Sequence, residues 1–318
     1  MAVAPTDPSV LVGLESAKRV THAIAAQAAG VHGVLFYGPP GSGKTTMAMH
    51  LAACWLCNAP VDGLPCGECR SCLSIAKGRH ADFQRILPVQ PSNWIRMGHI
   101  TSNAEKEEEG VVPVIDFFRT GPLLGRSKVV LIEGADRLYD GAANALLKTL
   151  EEPPPYAKVI LTTETLSRVL PTIVSRCVCV VCELPTDQDA SQVLGDLTPA
   201  EVALVRGSPG EANRLREHRE LFASLQAFAQ GLSRRPRGEA LVAGEEFAAI
   251  AGAYGNAFDL GARQANAETL ELLADYLSQE GALNGEARQA VIEAHRRIVG
   301  NGASGIVFDA LFSSILGR

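Results

Sequence analysis

The residues GPPGSGKTT, 38–46, form the glycine-rich pattern of a phosphate-binding loop. In such a loop the glycines let backbone N–H groups turn towards phosphate oxygens, and the following helix adds its positive N-terminal end. Lys44 is expected to reach the β- and γ-phosphates, and the Thr45 hydroxyl to bind Mg²⁺. An apolar strand over 33–38 and a helix over 45–57 supply the flanks that this motif requires. The predicted nucleotide contacts in the loop are Gly38, Pro39, Pro40, Gly41, Ser42, Gly43, Lys44, Thr45 and Thr46.

A later strand lacks the residue that would activate water. The apolar run 129–132 ends in Glu133-Gly134-Ala135-Asp136, where an ATPase with this loop usually carries Asp-Glu. Glu133 can supply a carboxylate to the metal and the nucleotide site, but Gly134 can neither take a proton nor orient water. Asp136 is interpreted as a cap of the next helix. Because a positioned base is worth about 10²–10⁴-fold in rate, the sequence predicts nucleotide binding without efficient turnover.

Four of the eight cysteines lie close together in the sequence, at Cys57, Cys66, Cys69 and Cys72. Four thiolates at this spacing predict a tetrahedral zinc site. Since protein would fill every ligand position, the predicted zinc is structural. Four free or buried cysteines and an iron–sulfur cluster are the alternatives. Disulfides are not favoured, because the N-terminus does not read as a signal peptide.

Strands alternate with helices over residues 1–184, which predicts an α/β domain with a parallel sheet. Helices are expected over 15–29 and 141–154, the second ended by prolines. Residues 88–111 carry Pro, Gly and a charge run, and are interpreted as a flexible surface insertion. Beyond 33–38, strands are predicted over 82–87, 128–134, 158–163 and 178–184.

The remainder of the chain is rich in Ala, Leu and Glu and shows no strand pattern, so it is predicted to be helical. The net charge of −6 argues against a protein whose whole surface grips nucleic acid. No apolar run approaches the about 18 residues of a membrane span. We therefore expect a cytoplasmic protein with no membrane partner.

One further tripeptide, Ser175-Arg176-Cys177, stands just before the last predicted strand. Together with the phosphate loop, the four cysteines, NALLKTLEEPP (144–154) and LPTIVSRC (170–177), it resembles the clamp loader subunits of bacterial DNA polymerase III, which are AAA+ proteins. The resemblance is continuous over roughly residues 10–184 and weak in the helical remainder. It implies an AAA+ domain at 1–184 with the zinc module at 54–75. It also implies a small helical lid at 185–224 and a helical collar at 225–318.

The resemblance assigns roles to single residues. Arg176 matches an arginine finger, which reaches the γ-phosphate in a neighbouring subunit. Thr163, at the end of a predicted strand, matches the first sensor of the γ-phosphate and could equally be a threonine satisfied by backbone. The family's second sensor is the arginine of Gly-Ser-x-Arg, but here 207–210 end in Gly210. Arg214 lies one turn on and is interpreted as an exposed helix charge.

Two subunit types share these motifs. The stator type, delta-prime, commonly has Glu-x-Ala-Asp after its strand, as at 133–136, whereas the ATP-hydrolysing motor type, gamma or tau, has Asp-Glu. The stator type is favoured, and the motor type is the alternative. The implied partners are gamma/tau and delta in a hetero-pentamer, the sliding clamp, and primed DNA through the complex at the nucleoid. A stand-alone nucleotide-binding switch and a metal-dependent redox protein are more distant alternatives.

Overall fold

Residues 11–27, 30–89, 93–102, 112–279, 285–300 and 302–317 are described by the computed structural model of the chain. They form two compact units. The first comprises the described residues up to 195 together with Ser208–Gly210, and the second comprises those of 196–207 and from 211 onwards. The lid at 185–224 and the collar at 225–318 stay predictions. Within the described ranges, no helix combines the length and the apolar character needed to cross a membrane.

The first unit is built on a parallel sheet with strand order β2-β3-β4-β1-β5. Because the strands are parallel, their carboxyl ends meet at one edge and their amino ends at the other. The predicted α/β architecture is confirmed, with a last strand shorter than expected. The strands are β1 (Gly33–Tyr37), β2 (Phe83–Ile86), β3 (Lys128–Glu133), β4 (Ala157–Thr163) and β5 (Val178–Val181).

Helices cover both faces of this sheet. Alternate residues of β1 point to opposite faces, so Phe36 packs with Leu51 of the second helix, while Leu35 packs with Leu146 of the fifth. All four side chains are fully buried. The helices of this unit are α1 (Glu15–Ala26), α2 (Lys44–Leu56), α3 (Arg70–Ala76), α4 (Val114–Phe117), α5 (Asp140–Glu151), α6 (Pro171–Val174) and α7 (Asp187–Leu194).

The insertion predicted at 88–111 lies partly outside the described residues. The expectation of a flexible surface insertion is wrong for its described part, which packs into the core. Ile95 and Ile100 are fully buried in the core on the α5 face. The Ile95 N–H donates to the carbonyl of Arg137, and the Tyr139 N–H donates to the carbonyl of Ile95. These backbone bonds join the insertion to the turn between β3 and α5.

The described residues of the second unit form helices without strands. Its core centres on four phenylalanines, Phe228, Phe247, Phe308 and Phe312, whose ring centroids lie 4.9–5.7 Å apart in the contacting pairs. Such edge-to-face and tilted pairs are favourable arrangements for aromatic rings. The remaining helices are α8 (Pro199–Leu204), α9 (Pro209–Glu217), α10 (Arg219–Leu232), α11 (Ala240–Phe258), α12 (Ala262–Gln279), α13 (Gly285–Val299) and α14 (Ser304–Leu316).

A buried carboxylate fixes the turn that leads into β3. Asp82 is fully buried, and its two oxygens accept the N–H groups of Leu123, Leu124 and Gly125 at 2.7, 2.7 and 2.9 Å. Burial acts to raise the pKa of Asp82, but the three donors and neighbouring His80 outweigh it and lower the pKa overall. The folded chain therefore stabilises the ionised form of the Asp82 carboxyl relative to the unfolded chain.

We expect Asp82→Asn to lower the free energy of unfolding at about pH 7 by about 1.5–3 kcal/mol, because an amide donor would face N–H groups that now bind a charged acceptor. A folded pKa below the unfolded value of about 3.9 stabilises the protein above that pH and loses its effect as the pH falls through the folded pKa. Urea unfolding followed from about pH 7 down to about pH 3 measures this acid dependence.

Asp62→Asn, a change at an exposed aspartate, is the matched control and should leave both the stability and its acid dependence nearly unchanged. An Asp82→Asn chain as stable as the original at about pH 7 would show that the three hydrogen bonds contribute little.

Candidate functional site

The phosphate loop follows β1 at the carboxyl edge of the sheet. Gly38, Gly41 and Gly43 have φ values of 149°, 66° and 91°, in the region that favours glycine. A Cβ on Gly38 would lie 2.0 Å from the carbonyl oxygen of Cys182, so no larger residue fits there. Gly43 precedes the first turn of α2 and supplies no side-chain cap. The first N–H groups of α2 are thus placed to bind an anion.

Lys44 turns back on the loop. Its Nζ donates to the carbonyl oxygens of Gly38 at 2.8 Å and Pro39 at 2.6 Å. Burial lowers the pKa of Lys44, and the negative groups Glu164 and Asp136 partly offset this effect. The Lys44 ammonium is therefore bound by carbonyl oxygens of the loop itself.

Glu133 and Thr45, the two predicted metal contacts, meet directly. The Thr45 hydroxyl donates to Glu133 Oε2 at 2.9 Å. The other oxygen, Oε1, forms an ion pair with Nε of Arg85 on β2. The pairing of β2 with β3, with Ile86 opposite Ile132, brings Arg85 to Glu133. Sequence reasoning missed Arg85, for which the only signal is a basic residue inside a short predicted strand.

Asp136 and Thr163 also form a pair. The Thr163 hydroxyl, on a side chain that is 2% exposed, donates to Asp136 Oδ1 at 2.9 Å. Asp136 lies in a 3₁₀ turn, and the residue that precedes α5 is Tyr139, without a side-chain cap. The expectation that Asp136 caps the next helix is therefore wrong. Its carboxylate instead binds the hydroxyl predicted as the first sensor.

Gly210 touches the phosphate loop with its backbone. Its N–H donates to the carbonyl of Gly41 at 3.1 Å, and the Ser208 hydroxyl donates to the carbonyl of Pro40 at 3.1 Å. A Cβ on Gly210 would lie 2.5 Å from the Cα of Gly41. The second-sensor position thus lacks not only an arginine but the space for any side chain in this arrangement.

Arg214 is engaged elsewhere. Its guanidinium pairs with Glu211 at 3.1 Å and Glu268 at 3.2 Å, and stacks on the Phe258 ring at 4.1 Å. The side chain is only 28% exposed. The prediction of an exposed helix charge is wrong, because Arg214 joins α9 to α11 and α12. Burial opposes but does not overcome the acidic neighbours, which raise the pKa of Arg214.

Arg176 lies two residues before β5, at the amino edge of the sheet. Because Val178 pairs with Val34 in parallel, Arg176 is separated from the loop after Tyr37 by the length of β1. At about 3.3 Å per residue, this is about 16–20 Å, farther than one arginine side chain reaches. The side chain is 34% exposed and pairs with Glu151. The sheet therefore does not bring Arg176 to the phosphate loop of its own chain.

The four predicted cysteines converge between α2 and α3. Cys57 Sγ lies 3.6 Å from Cys66 Sγ and 3.9 Å from Cys69 Sγ, and the four sulfurs lie within 4.8 Å of one another. A tetrahedral zinc with bonds of about 2.3 Å requires sulfurs about 3.8 Å apart. The cluster therefore fits a tetrahedral metal ion, and among the described residues it is the one such group.

Backbone N–H groups support these sulfurs. The N–H groups of Cys66, Cys69 and Cys72 each donate to the sulfur of the preceding cluster cysteine, at 3.3–3.4 Å. Burial acts to raise the pKa of Cys69, but N–H groups of Cys72 and Asn58 and the adjacent thiols lower it to about 6. A thiolate at this position favours capture of a cation.

The family comparison covers the sheet unit. A model described as DNA polymerase III, delta subunit matches residues 13–186, more than half of the 318-residue chain. The chain belongs to this family of DNA polymerase III subunits. The match begins just before α1 and ends just before α7, and therefore includes the phosphate loop, the cysteine cluster and Arg176.

Relatives of this DNA polymerase III family share the same region. The delta' subunit of Pseudomonas aeruginosa is 38% identical over 192 residues, which are 58% of this chain and 55% of that protein. The tau/gamma subunit of Haemophilus influenzae is 32% identical over 206 residues, 63% of this chain and 28% of that protein. The alignment with the delta' relative thus spans about half of that relative's length.

A solved structure shows the same fold. A DNA polymerase III gamma subunit-related protein of Thermotoga maritima superposes with a TM-score of 0.54 at 20% identity. The superposition covers 96% of this chain and 99% of that protein. This likeness confirms the fold that the family resemblance predicted.

We expect Gly210→Arg, which places an arginine where the family's second sensor has one, not to raise ATP turnover by the chain. The Cβ alone overlaps Gly41, so the variant displaces the phosphate loop and binds a fluorescent ATP analogue more weakly. The overlap should also cost about 1–3 kcal/mol of unfolding free energy, measured with urea.

Gly210→Ala should show the same weaker binding, while Gly252→Ala serves as the control. Gly252 lies inside α11 with open space around it, so alanine there should stabilise the helix by up to about 1 kcal/mol. Faster ATP turnover by Gly210→Arg would show that the arginine finds a place beside the phosphates, against our expectation.

Proposed function

We propose that this chain acts as a delta'-type subunit of the bacterial DNA polymerase III clamp loader and offers Arg176 to the ATP site of a neighbouring subunit. The observation that carries the proposal is the position of Arg176, partly exposed at the amino edge of the sheet and about 16–20 Å from its own phosphate loop by strand geometry. A residue at this edge can serve a phosphate only on another chain.

The physical role of Arg176 follows from the reaction. Charge grows on the transferring γ-phosphoryl group, and a cation placed there offsets it, an effect worth about 10³–10⁵ in rate. A guanidinium keeps its charge at any physiological pH and presents several N–H donors in a fixed plane. Arg176 would thus contribute to hydrolysis at a site that its own chain does not contain.

We propose that the chain's own loop binds ATP with Mg²⁺ but turns it over poorly. Lys44 would hold the phosphates, and Thr45 and Glu133 would hold the metal, which supplies charge neutralisation when bound. Gly134 has no group to accept a proton, and the carboxylate of Asp136 already accepts the Thr163 hydroxyl. Arg85 additionally neutralises Glu133.

The expected partners follow from the family. We propose gamma/tau and delta as neighbours in a hetero-pentamer assembled through the helices of 225–318. In that complex the chain would help to load the sliding clamp, and it would reach primed DNA through the other subunits. We propose that the complex works in the cytoplasm, at the nucleoid. Support comes from the relatives described above, which are named as subunits of one polymerase.

The motor alternative, in which this chain hydrolyses ATP as gamma or tau does, has one observation in its favour. The phosphate loop keeps Lys44 and Thr45 in place, and Thr45 contacts Glu133. Against it stand Gly134, which has no side chain to activate water, and the backbone contact of Gly210 with Gly41, at the position where the family's second sensor has an arginine.

We further propose that the metal held by Cys57, Cys66, Cys69 and Cys72 is a structural zinc. Four sulfur ligands at tetrahedral spacing suit zinc and leave no position for water. The cluster joins the end of α2 to the start of α3, so the metal would tie the zinc module to the helix that begins in the phosphate loop.

The isolated chain is expected to show negligible ATP turnover with Mg²⁺, with or without primed DNA. In a clamp loader assembled with its own partner subunits, Arg176→Ala should leave assembly unchanged and remove the hydrolysis contributed by the adjacent site. Steady-state phosphate release and size-exclusion chromatography measure the two properties. Arg79→Ala, at an exposed arginine of the same unit, is the control and should change neither.

Normal hydrolysis in the Arg176→Ala complex would refute the finger assignment. Clear turnover by the isolated chain, abolished by Lys44→Ala, would favour the motor alternative. In that case Glu133 or Asp136 would perform the work of the absent glutamate.

The purified chain should contain about one zinc per molecule, the number that one four-cysteine site holds. Cys66→Ser should lose the metal, whereas Cys179→Ser, at an exposed cysteine outside the cluster, should retain it. Chelation should speed hydrogen exchange in 57–72 and leave the phosphate loop protected. Elemental analysis that finds far less than one zinc, or mostly iron, would contradict the assignment.

A further inference from the structure

The Arg176 guanidinium is held from two sides. One terminal nitrogen, Nη1, donates to the carbonyl of Thr172 at 3.0 Å and lies 3.4 Å from the Ser175 hydroxyl. The other, Nη2, forms an ion pair with Glu151 Oε1 at 2.5 Å. Thr172 and Ser175 lie within four residues of Arg176 in the sequence, whereas Glu151 is contributed by α5.

The end of α5 and the segment that precedes β5 meet at Gly33. A Cβ on Gly33, the first residue of β1, would lie 3.1 Å from the carbonyl oxygen of Arg176 and 3.3 Å from the Leu150 side chain. The residue before Glu151 and the backbone of Arg176 therefore both pack on Gly33. The backbone of Arg176 and the end of α5 are thus held side by side at the start of β1, within reach of an ion pair between the two side chains.

We infer that Glu151 is a positioning residue that aims the Arg176 guanidinium at the phosphate of the neighbouring site. The inference rests on the function proposed above for Arg176. Glu151 itself does not touch the nucleotide. Its carboxylate restrains the long arginine side chain, so that less conformational freedom is lost when the guanidinium meets the phosphate.

The position of Glu151 at the end of α5 favours its ion pair with Arg176. It is the last residue of α5, where the helix presents unpaired carbonyl groups and a partial negative charge. A carboxylate is unfavourable there unless a cation neutralises it. Arg176 is that cation, whereas the adjacent Glu152, also exposed, forms no ion pair within the described part of the chain.

The contacts leave donors for a ligand. Arginine has five N–H groups, one on Nε and two on each terminal nitrogen. Nη1 has two protein acceptors and Nη2 has one, so Nε and the second N–H of Nη2 find no acceptor among the described residues. Glu151 and Thr172 can therefore hold the guanidinium while its Nε–H and the second N–H of Nη2 donate to phosphate oxygens.

The test compares Glu151→Gln with Glu152→Gln in the assembled clamp loader. Both remove one negative charge at adjacent exposed positions. Glu151→Gln should lower kcat for the hydrolysis that depends on Arg176 by about 3- to 10-fold, since misplacement of a catalytic group by about 1 Å is costly. The KM for ATP should stay unchanged, and Glu152→Gln should leave both constants unchanged.

A double variant separates positioning from a merely structural role. If Glu151 acts through Arg176, then Glu151→Gln should have no further effect on kcat once Arg176→Ala is present. Additive decreases in kcat, an unchanged kcat in Glu151→Gln, or a raised kcat would overturn the inference. A raised kcat would mean that Glu151 withholds the guanidinium from the phosphate.

A measurement on the isolated chain keeps the two proposals distinguishable. The NMR signal of the Arg176 Nε–H group, assigned by its disappearance in Arg176→Ala, should show restricted motion in the original chain and in Glu152→Gln, but not in Glu151→Gln. An Arg176 side chain equally mobile in all three refutes the positioning. If the restriction is present but Arg176→Ala leaves the ATPase of the complex unchanged, the proposed function has failed instead.

Discussion

The parallel pairing of β1 with both β4 and β5 is the constraint on which the arrangement of functional groups depends. In a parallel sheet, whatever follows a strand lies at one edge and whatever precedes a strand lies at the other. The phosphate loop, Glu133 and Thr163 all follow or end strands and meet at the carboxyl edge. Arg176 precedes β5 and lies at the amino edge. One topological fact thus places the phosphate-loop motif at one edge and the partly exposed Arg176 at the opposite edge.

At the carboxyl edge, these charged and polar groups already have partners within the chain. Loop carbonyls hold Lys44, Arg85 and Thr45 hold Glu133, and Thr163 holds Asp136. A bound nucleotide would replace some of these hydrogen bonds with bonds to phosphate oxygens and to a metal ion. The arrangement suits binding, because each polar group would exchange one partner for another of similar kind. Glu133 and Asp136 are both engaged in this way, and Gly134 has no side chain that could accept a proton.

Two glycines allow close approaches between segments that are distant in the sequence. Gly210 lets the segment 208–210 bond directly to the phosphate loop, and Gly33 lets the segments ending in Glu151 and Arg176 approach each other. A methyl group on Gly210 would overlap the backbone of Gly41, and one on Gly33 would press tightly against several atoms. Small size, rather than any chemical group, is what these positions contribute. Each glycine joins segments that are distant in the sequence.

The sequence by itself determined the order of strands and helices, the phosphate loop, the four clustered cysteines and the family, because these depend on local periodicity and on residues close together along the chain. Tertiary structure decided the rest. The pairing of β2 with β3 brought Arg85 to Glu133, and Arg214 became a part-buried link in the helical unit. The same pairing of distant segments gave Asp136 the Thr163 hydroxyl and buried Ile95. No local pattern specifies such partners, since they are set by which segments the fold places side by side.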